Sequence, residues 1–430
     1  MEENTFTLKA GAGRAALKYP EKFFPQENFS KIHDDICARA ILLEQKERIL
    51  IISLELPSVR PYSLVDEMRE RLHDMTGIGT EHIWVCMTHN LAGPHVPKKE
   101  QFPEKYEMHM KAVYDAVYAA CWQARENFQE VRLGIGFGAA DINGNRDVKT
   151  NQGWWLGAGG EGISDKLLTV FRLEGISGAP IALIYHYAVK SSAAEGICMK
   201  DGTSQMTSDV TGRASREIEQ EFGVPALFFM GAAADQVPKK KGMYFAPDKN
   251  GDMVEINLGE QAYEFIEEQG VELGNAVIET AKKIRCTREQ SYMRVWHETF
   301  FFPGQKKNEE GHPYRPLLEY EYIPAKEEEL PAEILQLGDA VLFGLQPETT
   351  AVIGIRLRER VKGLHPLFIA MVNGGKDYIS DVSAYDRLTF AGTHSVFARG
   401  SAEMLLDKLE AWIHEMQEEK VCTPKGLPLR

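Results

Sequence analysis

The sequence predicts an α/β fold in which mixed β-sheets are flanked by helices. Apolar, β-branched runs typical of buried strands recur along the chain, and amphipathic stretches with helical spacing lie between them. Several strands end in polar loops rich in glycine and proline, which is where α/β proteins place their sites. The 430 residues contain no repeat, low-complexity tract or linker, so we expect a single domain over residues 1–430.

The predicted elements follow in order along the chain. Strands are expected at residues 36–43 and 48–56, which form a hairpin, and at 83–87, 131–137, 167–173, 179–189, 226–230, 339–344 and 367–372. Helices are expected at residues 63–74, 104–128, 210–222, 260–285 and 402–417, and another starts at the segment 345–350 and runs through Arg360. Residues 152–162 match no nucleotide-binding glycine motif and are expected to form a flexible loop. Residues 239–255 are expected to be a charged surface loop whose charges are solvated.

Composition limits the classes of partner and the compartment. Hydrophobic residues make up 43% of the chain and charged residues 26%, as in a folded globular protein. The net charge of -14 disfavours nucleic acid. The six cysteines lack CxxC spacing, and neither a secretory signal nor an apolar run of about 18 residues is present. We therefore expect a cytoplasmic protein with a small-molecule substrate and no membrane partner, and a homo-oligomer stays open.

One stretch concentrates polar chemistry at the end of a strand. The apolar run Ile83–Met87 changes abruptly into Thr88, His89 and Asn90, and a Gly-Pro bend then leads to His95. A lone histidine in a loop is most often structural. Two histidines and an asparagine within eight residues of a strand end favour a functional site.

Other predicted strands also end in polar side chains. If these ends meet at one edge of a sheet, their side chains converge on one cleft. Taken singly, each has an ordinary structural explanation, such as a turn or a helix terminus. The set consists of His89, Asn90, His95, Asn145, Arg146, Lys190, Asp235, Gln236, Glu348 and Tyr378.

The order of several motifs resembles the N-terminal catalytic domain of the neutral, non-lysosomal ceramidases. The motifs are Ala10-Gly-Ala-Gly-Arg14, Ala38-Arg39-Ala40, Thr88-His89-Asn90-Leu91-Ala92-Gly93-Pro94, Asn145-Arg146, Ser208-Asp209, the segment 231–238, Pro347-Glu348-Thr349-Thr350 with Gly354-Ile-Arg-Leu-Arg358, and Tyr378 with Ser383-Ala-Tyr385. No single motif is decisive, but their joint order over most of the chain is specific. The resemblance implies a ceramidase-like fold in a small relative without the family's C-terminal β-sandwich domain.

The resemblance also implies a zinc-dependent hydrolase of amide bonds. In that family two histidines, a glutamate and a tyrosine hold the ion, which polarises the carbonyl group and activates water. By position, His89, Glu348 and Tyr378 match three of the four ligands. Zinc is accordingly the candidate cofactor, and no other cofactor is expected.

Three positions depart from the family pattern. Lys190 stands where the family has its second histidine ligand, and a protonated lysine has no lone pair for a metal. Leu91 replaces a histidine beside the reacting carbonyl, a role that His95 can take over from the same loop. Val237 replaces a serine, which leaves Asp235 and Gln236 as the polar members of that motif. These departures predict a small soluble substrate rather than ceramide.

Three functions are consistent with these residues. The first is a hydrolase of a small amide or ester, with a modified zinc site and with Lys190, His95 and Tyr378 as catalytic residues. The second is a metal-free lyase or isomerase in which Lys190 serves as base or imine-forming nucleophile on a small carbonyl compound. The third is a non-catalytic ligand-binding relative. In each case Asn90, Asn145, Arg146, Asp235 and Gln236 are the expected substrate-binding residues.

Overall fold

A computed structural model describes residues 7–288, 291–309 and 316–422. The strands in these ranges are β1 (Lys9–Ala16), β2 (Phe29–Ile32), β3 (Cys37–Glu44), β4 (Arg48–Leu54), β5 (Ile83–Met87), β6 (Gln129–Ala139), β7 (Asn143–Thr150), β8 (Gly153–Gly160), β9 (Leu167–Gly175), β10 (Pro180–Tyr187), β11 (Ser204–Met206), β12 (Ala226–Met230), β13 (Gln236–Pro238), β14 (Met243–Pro247), β15 (Met253–Asn257), β16 (Met293–Gln305), β17 (Pro324–Leu337), β18 (Ala340–Leu345), β19 (Glu348–Thr349), β20 (His365–Ala370) and β21 (Tyr378–Ile379). The helices are α1 (Ser63–Thr76), α2 (Pro103–Glu126), α3 (Asp209–Phe222), α4 (Gln261–Lys283), α5 (Ala351–Arg360), α6 (Val382–Asp386), α7 (Phe390–Thr393) and α8 (Ser401–Cys422).

Two sheets form the centre of the molecule. The larger has eight strands in the order β12-β10-β9-β6-β1-β3-β4-β5, and the smaller has four in the order β16-β17-β18-β20. The larger sheet is mixed, because β10 and β12 are parallel, as are β4 and β5, while its other pairs are antiparallel. Strands β18 and β20 form a parallel pair in the smaller sheet. The predicted fold of mixed sheets flanked by helices is therefore confirmed.

Alternation along the strands explains why the larger sheet is buried on both faces. In β5, Ile83, Val85 and Met87 join the core beneath helices α1 to α4, whereas Trp84 and Cys86 face the smaller sheet. Successive side chains of a strand point to opposite faces, so a continuous apolar run suits a strand covered on both sides. The smaller sheet is covered in turn by α5 and α8. The layers are thus helices, sheet, sheet and helices.

Glycines in β1 allow close packing of α2 on the sheet. A Cβ atom added to Gly11 or Gly13 would lie 2.0 Å from a backbone oxygen of α2, that of Ala124 or Ala120. Only a residue without a Cβ fits there. The glycines of the Ala10-Gly-Ala-Gly-Arg14 motif therefore have a packing role.

Most predicted elements are present, but two segments differ from expectation. The hairpin is formed by β3 and β4, and the strands and helices that flank the site lie within a few residues of their predicted bounds. Residues 152–162 contain strand β8 instead of a flexible loop, because β8 pairs antiparallel with β7 and packs Trp155 against Phe245. Residues 239–255 contain the β14–β15 hairpin, and Lys241 at its start is buried. No helix among the described residues is long and apolar enough to cross a membrane.

Candidate functional site

The ends of parallel strands bring four predicted site residues together. Glu348 and Tyr378 follow the adjacent parallel strands β18 and β20 and pair directly in the short ladder β19–β21. The end of β5, which precedes His89, is joined to the end of β20 by a hydrogen bond from the Met87 amide to the Met371 carbonyl (3.3 Å). Lys190 follows β10. Parallel strands place their carboxyl ends at one edge, which is how separate loops form one site.

A buried ion pair lies at the centre of the site. The Nζ atom of Lys190 lies 2.9 Å from Oε2 of Glu348 and donates a hydrogen bond to Oε1 over 3.2 Å. Only 1% of Lys190 and 3% of Glu348 is exposed. Because removing two charges from water is costly, each of them depends on the other for its stabilisation.

His89 approaches the same carboxylate from the β5 loop. Its Nε2 atom lies 3.9 Å from Oε1 of Glu348, and its Nδ1 atom lies 2.6 Å from the sulfur of Met371. A thioether accepts but cannot donate, so Nδ1 carries the proton and Nε2 the lone pair. Burial, reinforced by the charge of Lys190, holds the pKa of His89 well below its usual value. The imidazole is therefore neutral near pH 7 and its Nε2 can accept a proton.

The Tyr378 ring contacts two cations. Nζ of Lys190 lies 5.1 Å from the ring centroid and the guanidinium carbon of Arg146 lies 5.3 Å from it. Arg146 is also 5.5 Å from the ring of Phe390. Burial opposes its charge, but Tyr378 and Glu348 outweigh burial and raise the pKa of Arg146. An aromatic face stabilises such cations without neutralising them.

The remaining predicted polar residues hold the loops in place. The Asn90 side chain donates to the carbonyls of Glu55 and Thr207 and accepts from the Ala92 amide. That of Gln236 donates to the Ile163 carbonyl, and its oxygen accepts from Asn143.

Asn145 and Asp235 are joined to each other. Nδ2 of Asn145 donates to Oδ2 of Asp235 over 2.9 Å, and Oδ1 of Asp235 accepts from the Ala351 amide at the start of α5. Like Asn90 and Gln236, both are fully or almost fully buried. The side chains of all four residues therefore form hydrogen bonds within the protein, and their role in substrate binding stays a prediction.

His95 lies apart from the central pair. Its Nδ1 atom is 3.3 Å from Oε2 of Glu27, and more than half of its side chain is exposed. It does not line the cavity that contains Lys190. His95 therefore does not supply a polar group at the position of Leu91.

A narrow cavity of about 30 Å³ opens beside Lys190. Lys190, Arg146 and Leu91 line it together with a second buried ion pair, in which Nζ of Lys241 lies 2.8 Å from Oε2 of Glu195. Although burial opposes ionisation, Lys241 lowers the pKa of Glu195. Sequence alone places Lys241 in a solvated loop and so does not predict this pair. Met243 and Phe245, two apolar residues at alternating positions after Lys241, are the sequence feature that indicates a buried hairpin.

The donors do not fit a zinc ion as they are arranged. His89, Glu348 and Tyr378 lie close together. However, the ammonium of Lys190 lies against the Glu348 carboxylate, whose lone pairs a metal ion would need. A second cation there would be repelled. Among the described residues, no group of three or more His, Cys, Asp or Glu side chains is placed to hold a metal ion.

Comparison with known proteins supports the fold. Neither a protein-family model nor a curated protein matches the sequence. The solved structure of neutral ceramidase from Pseudomonas aeruginosa matches with a TM-score of 0.69 and 16% identity, covering 96% of this chain and 75% of that chain. A ceramidase complexed with C2 matches with a TM-score of 0.69 and 15% identity, covering 96% and 76%. The chain therefore has a ceramidase-like fold over nearly its whole length.

Proposed function

We propose that the protein is a hydrolase of the ceramidase type that cleaves an amide or ester bond in a small, polar molecule. The observation that carries the proposal is the cluster of Lys190, Glu348 and His89, which joins a fixed cation, a carboxylate and a neutral imidazole. The fold shared with ceramidases supports the reaction class. The cavity of about 30 Å³ beside Lys190 leaves no room for a long acyl chain.

His89 is the proposed base. Its Nε2 lone pair takes a proton from water, and the nearby carboxylate of Glu348 stabilises the imidazolium that forms. The water oxygen then attacks the carbonyl carbon of the substrate. The imidazolium returns the proton to the leaving nitrogen or oxygen, so the reaction yields a carboxylic acid and an amine or alcohol.

Lys190 is the proposed electrophile. Its ammonium, held in place by Glu348, stabilises the negative charge that develops on the carbonyl oxygen. Tyr378 positions this ammonium through its ring and positions Arg146 in the same way. A cation that is fixed before the reaction loses little energy to reorganisation, and this makes it effective.

The test is a panel of small amides and esters, including N-acetyl amino acids and their neutral amides, with release of amine, alcohol or acid as the measurement. We expect the wild type to hydrolyse at least one of them and His89→Gln to be slower by roughly 10²- to 10⁴-fold, the usual contribution of a general base. His95→Gln is the matched control and should retain the rate, because His95 lies on the surface. Absence of hydrolysis across the panel would overturn the proposal, and an undiminished rate in His89→Gln would overturn the role of His89.

A further inference from the structure

Arg146 is a buried cation with unsatisfied hydrogen-bond donors. Only 6% of the residue is exposed, and its Nε and Nη2 atoms have no hydrogen-bond partner among the described residues. Its neighbour Asp147 has its own cation, since Nη2 of Arg387 lies 3.8 Å from Oδ2. A buried donor without an acceptor is costly, so its persistence needs a reason.

The cations around the cavity differ in whether they have an ion-pair partner. Its lining includes the three cations Arg146, Lys190 and Lys241. Lys190 is paired with Glu348, and Lys241 is paired with Glu195. Arg146 has no carboxylate within 4.0 Å among the described residues, and Glu348 and Asp147 act on it only at longer range.

We propose that the substrate carries a carboxylate that binds Arg146, close to the bond that is cleaved at Lys190. This inference rests on the proposed hydrolase function of the same site. The planar guanidinium group matches a carboxylate through two parallel hydrogen bonds, and two of its nitrogen atoms are free. Arg146 and Lys190 contact the same Tyr378 ring, so the bound carboxylate and the reacting carbonyl are neighbours. A small N-acyl amino acid has this arrangement.

The experiment compares N-acetyl amino acids with their neutral primary amides at one fixed concentration. The measurement is the shift in melting temperature of the full-length protein. We expect at least one carboxylate to stabilise the wild type more than its amide does, and the difference to vanish in Arg146→Gln. Titration of that carboxylate should show an affinity loss of roughly 10- to 100-fold in the variant, as expected for charge-assisted hydrogen bonds.

Two further variants guard against a general loss of charge or structure. Arg71→Gln removes one positive charge from the surface of α1 and should leave the difference intact. Arg146→Lys keeps the charge without the planar fork and should lose most of the affinity. No excess stabilisation by any carboxylate in the wild type overturns the inference. Persistence of the difference in Arg146→Gln overturns it too, as does stabilisation through Arg146 by inorganic phosphate alone.

The inference and the proposed function fail in different ways. If carboxylate binding depends on Arg146 but no panel member is hydrolysed, the anion site is supported and the hydrolase function is refuted. Equal hydrolysis of acids and neutral amides, with an unchanged KM in Arg146→Gln, would leave the hydrolase standing and remove the anion site.

Discussion

Replacing Lys190 by methionine should destabilise the fold and not only stop the reaction. The change leaves the Glu348 carboxylate, which is 3% exposed, without the ammonium at 2.9 Å. Within the described residues, the only other basic group within 4.0 Å of it is His89, which is neutral. Breaking a buried pair in this way costs about 3–5 kcal/mol. Because the entropy of unfolding grows with chain length, this corresponds to a fall of about 3–6 °C in the melting temperature.

The assay is a double-mutant cycle read by thermal unfolding. Glu348→Gln should also destabilise, because it leaves the Lys190 ammonium unpaired. The double variant should recover much of the loss, since neither charge then remains in the interior. If the two single losses simply add in the double variant, the pair is not coupled and the geometry argued for the centre of the site is wrong.

Asp147, Lys241 and Lys190 each allow a separate test of this region. Burial raises the pKa of Asp147 from 3.8 to about 6, so above about pH 6 the charged carboxylate destabilises the folded state by roughly 3 kcal/mol, and this penalty disappears as the pH falls towards 3.8. Asp147→Asn should therefore have a higher melting temperature than the wild type above about pH 6 and the same melting temperature near pH 4. An equal increase at both pH values would contradict the raised pKa. Lys241→Met should lower the hydrolysis rate, whereas Lys240→Met should not, because Lys240 pairs with Glu268 at the surface. Equal effects of the two variants on the rate would mean that the ion pair of Lys241 with Glu195 plays no part at the cavity. Lys190→His should raise the zinc content that mass spectrometry measures after equilibration with zinc, because it supplies a nitrogen ligand beside His89 and Glu348 and removes the competing cation. An unchanged zinc content would contradict the placement of Lys190.

The strands of the larger sheet could be predicted because their sequence pattern matches their surroundings. Ile83–Met87 is apolar at every position since both faces of β5 are covered. The long pair β16 and β17 was missed, although β16 begins with alternating buried Met293 and Val295. Strand β8 is rich in glycine, and its pairing with β7 depends on tertiary contacts that local propensity does not describe.

The site could be predicted in part from the polar residues at strand ends. The proximity of His89, Lys190, Glu348 and Tyr378 agrees with the expected convergence. Sequence could not separate side chains that face the cavity, such as Arg146, from Asn90 and Gln236, whose amides bond to backbone groups. That distinction depends on which loops pack against each other. Sequence also could not show that Lys241 is paired and Arg146 is not, because the partner of Lys241 is Glu195, 46 residues away.

In the proposed mechanism a fixed lysine cation, and not a bound metal ion, supports hydrolysis. The most direct test is the hydrolysis rate of the best panel substrate before and after exhaustive chelation of the wild type. We predict an unchanged rate, because the ammonium of Lys190 is part of the chain and already lies against Glu348. A rate that is lost on chelation and restored by zinc would mean that a metal ion, and not Lys190, supports hydrolysis.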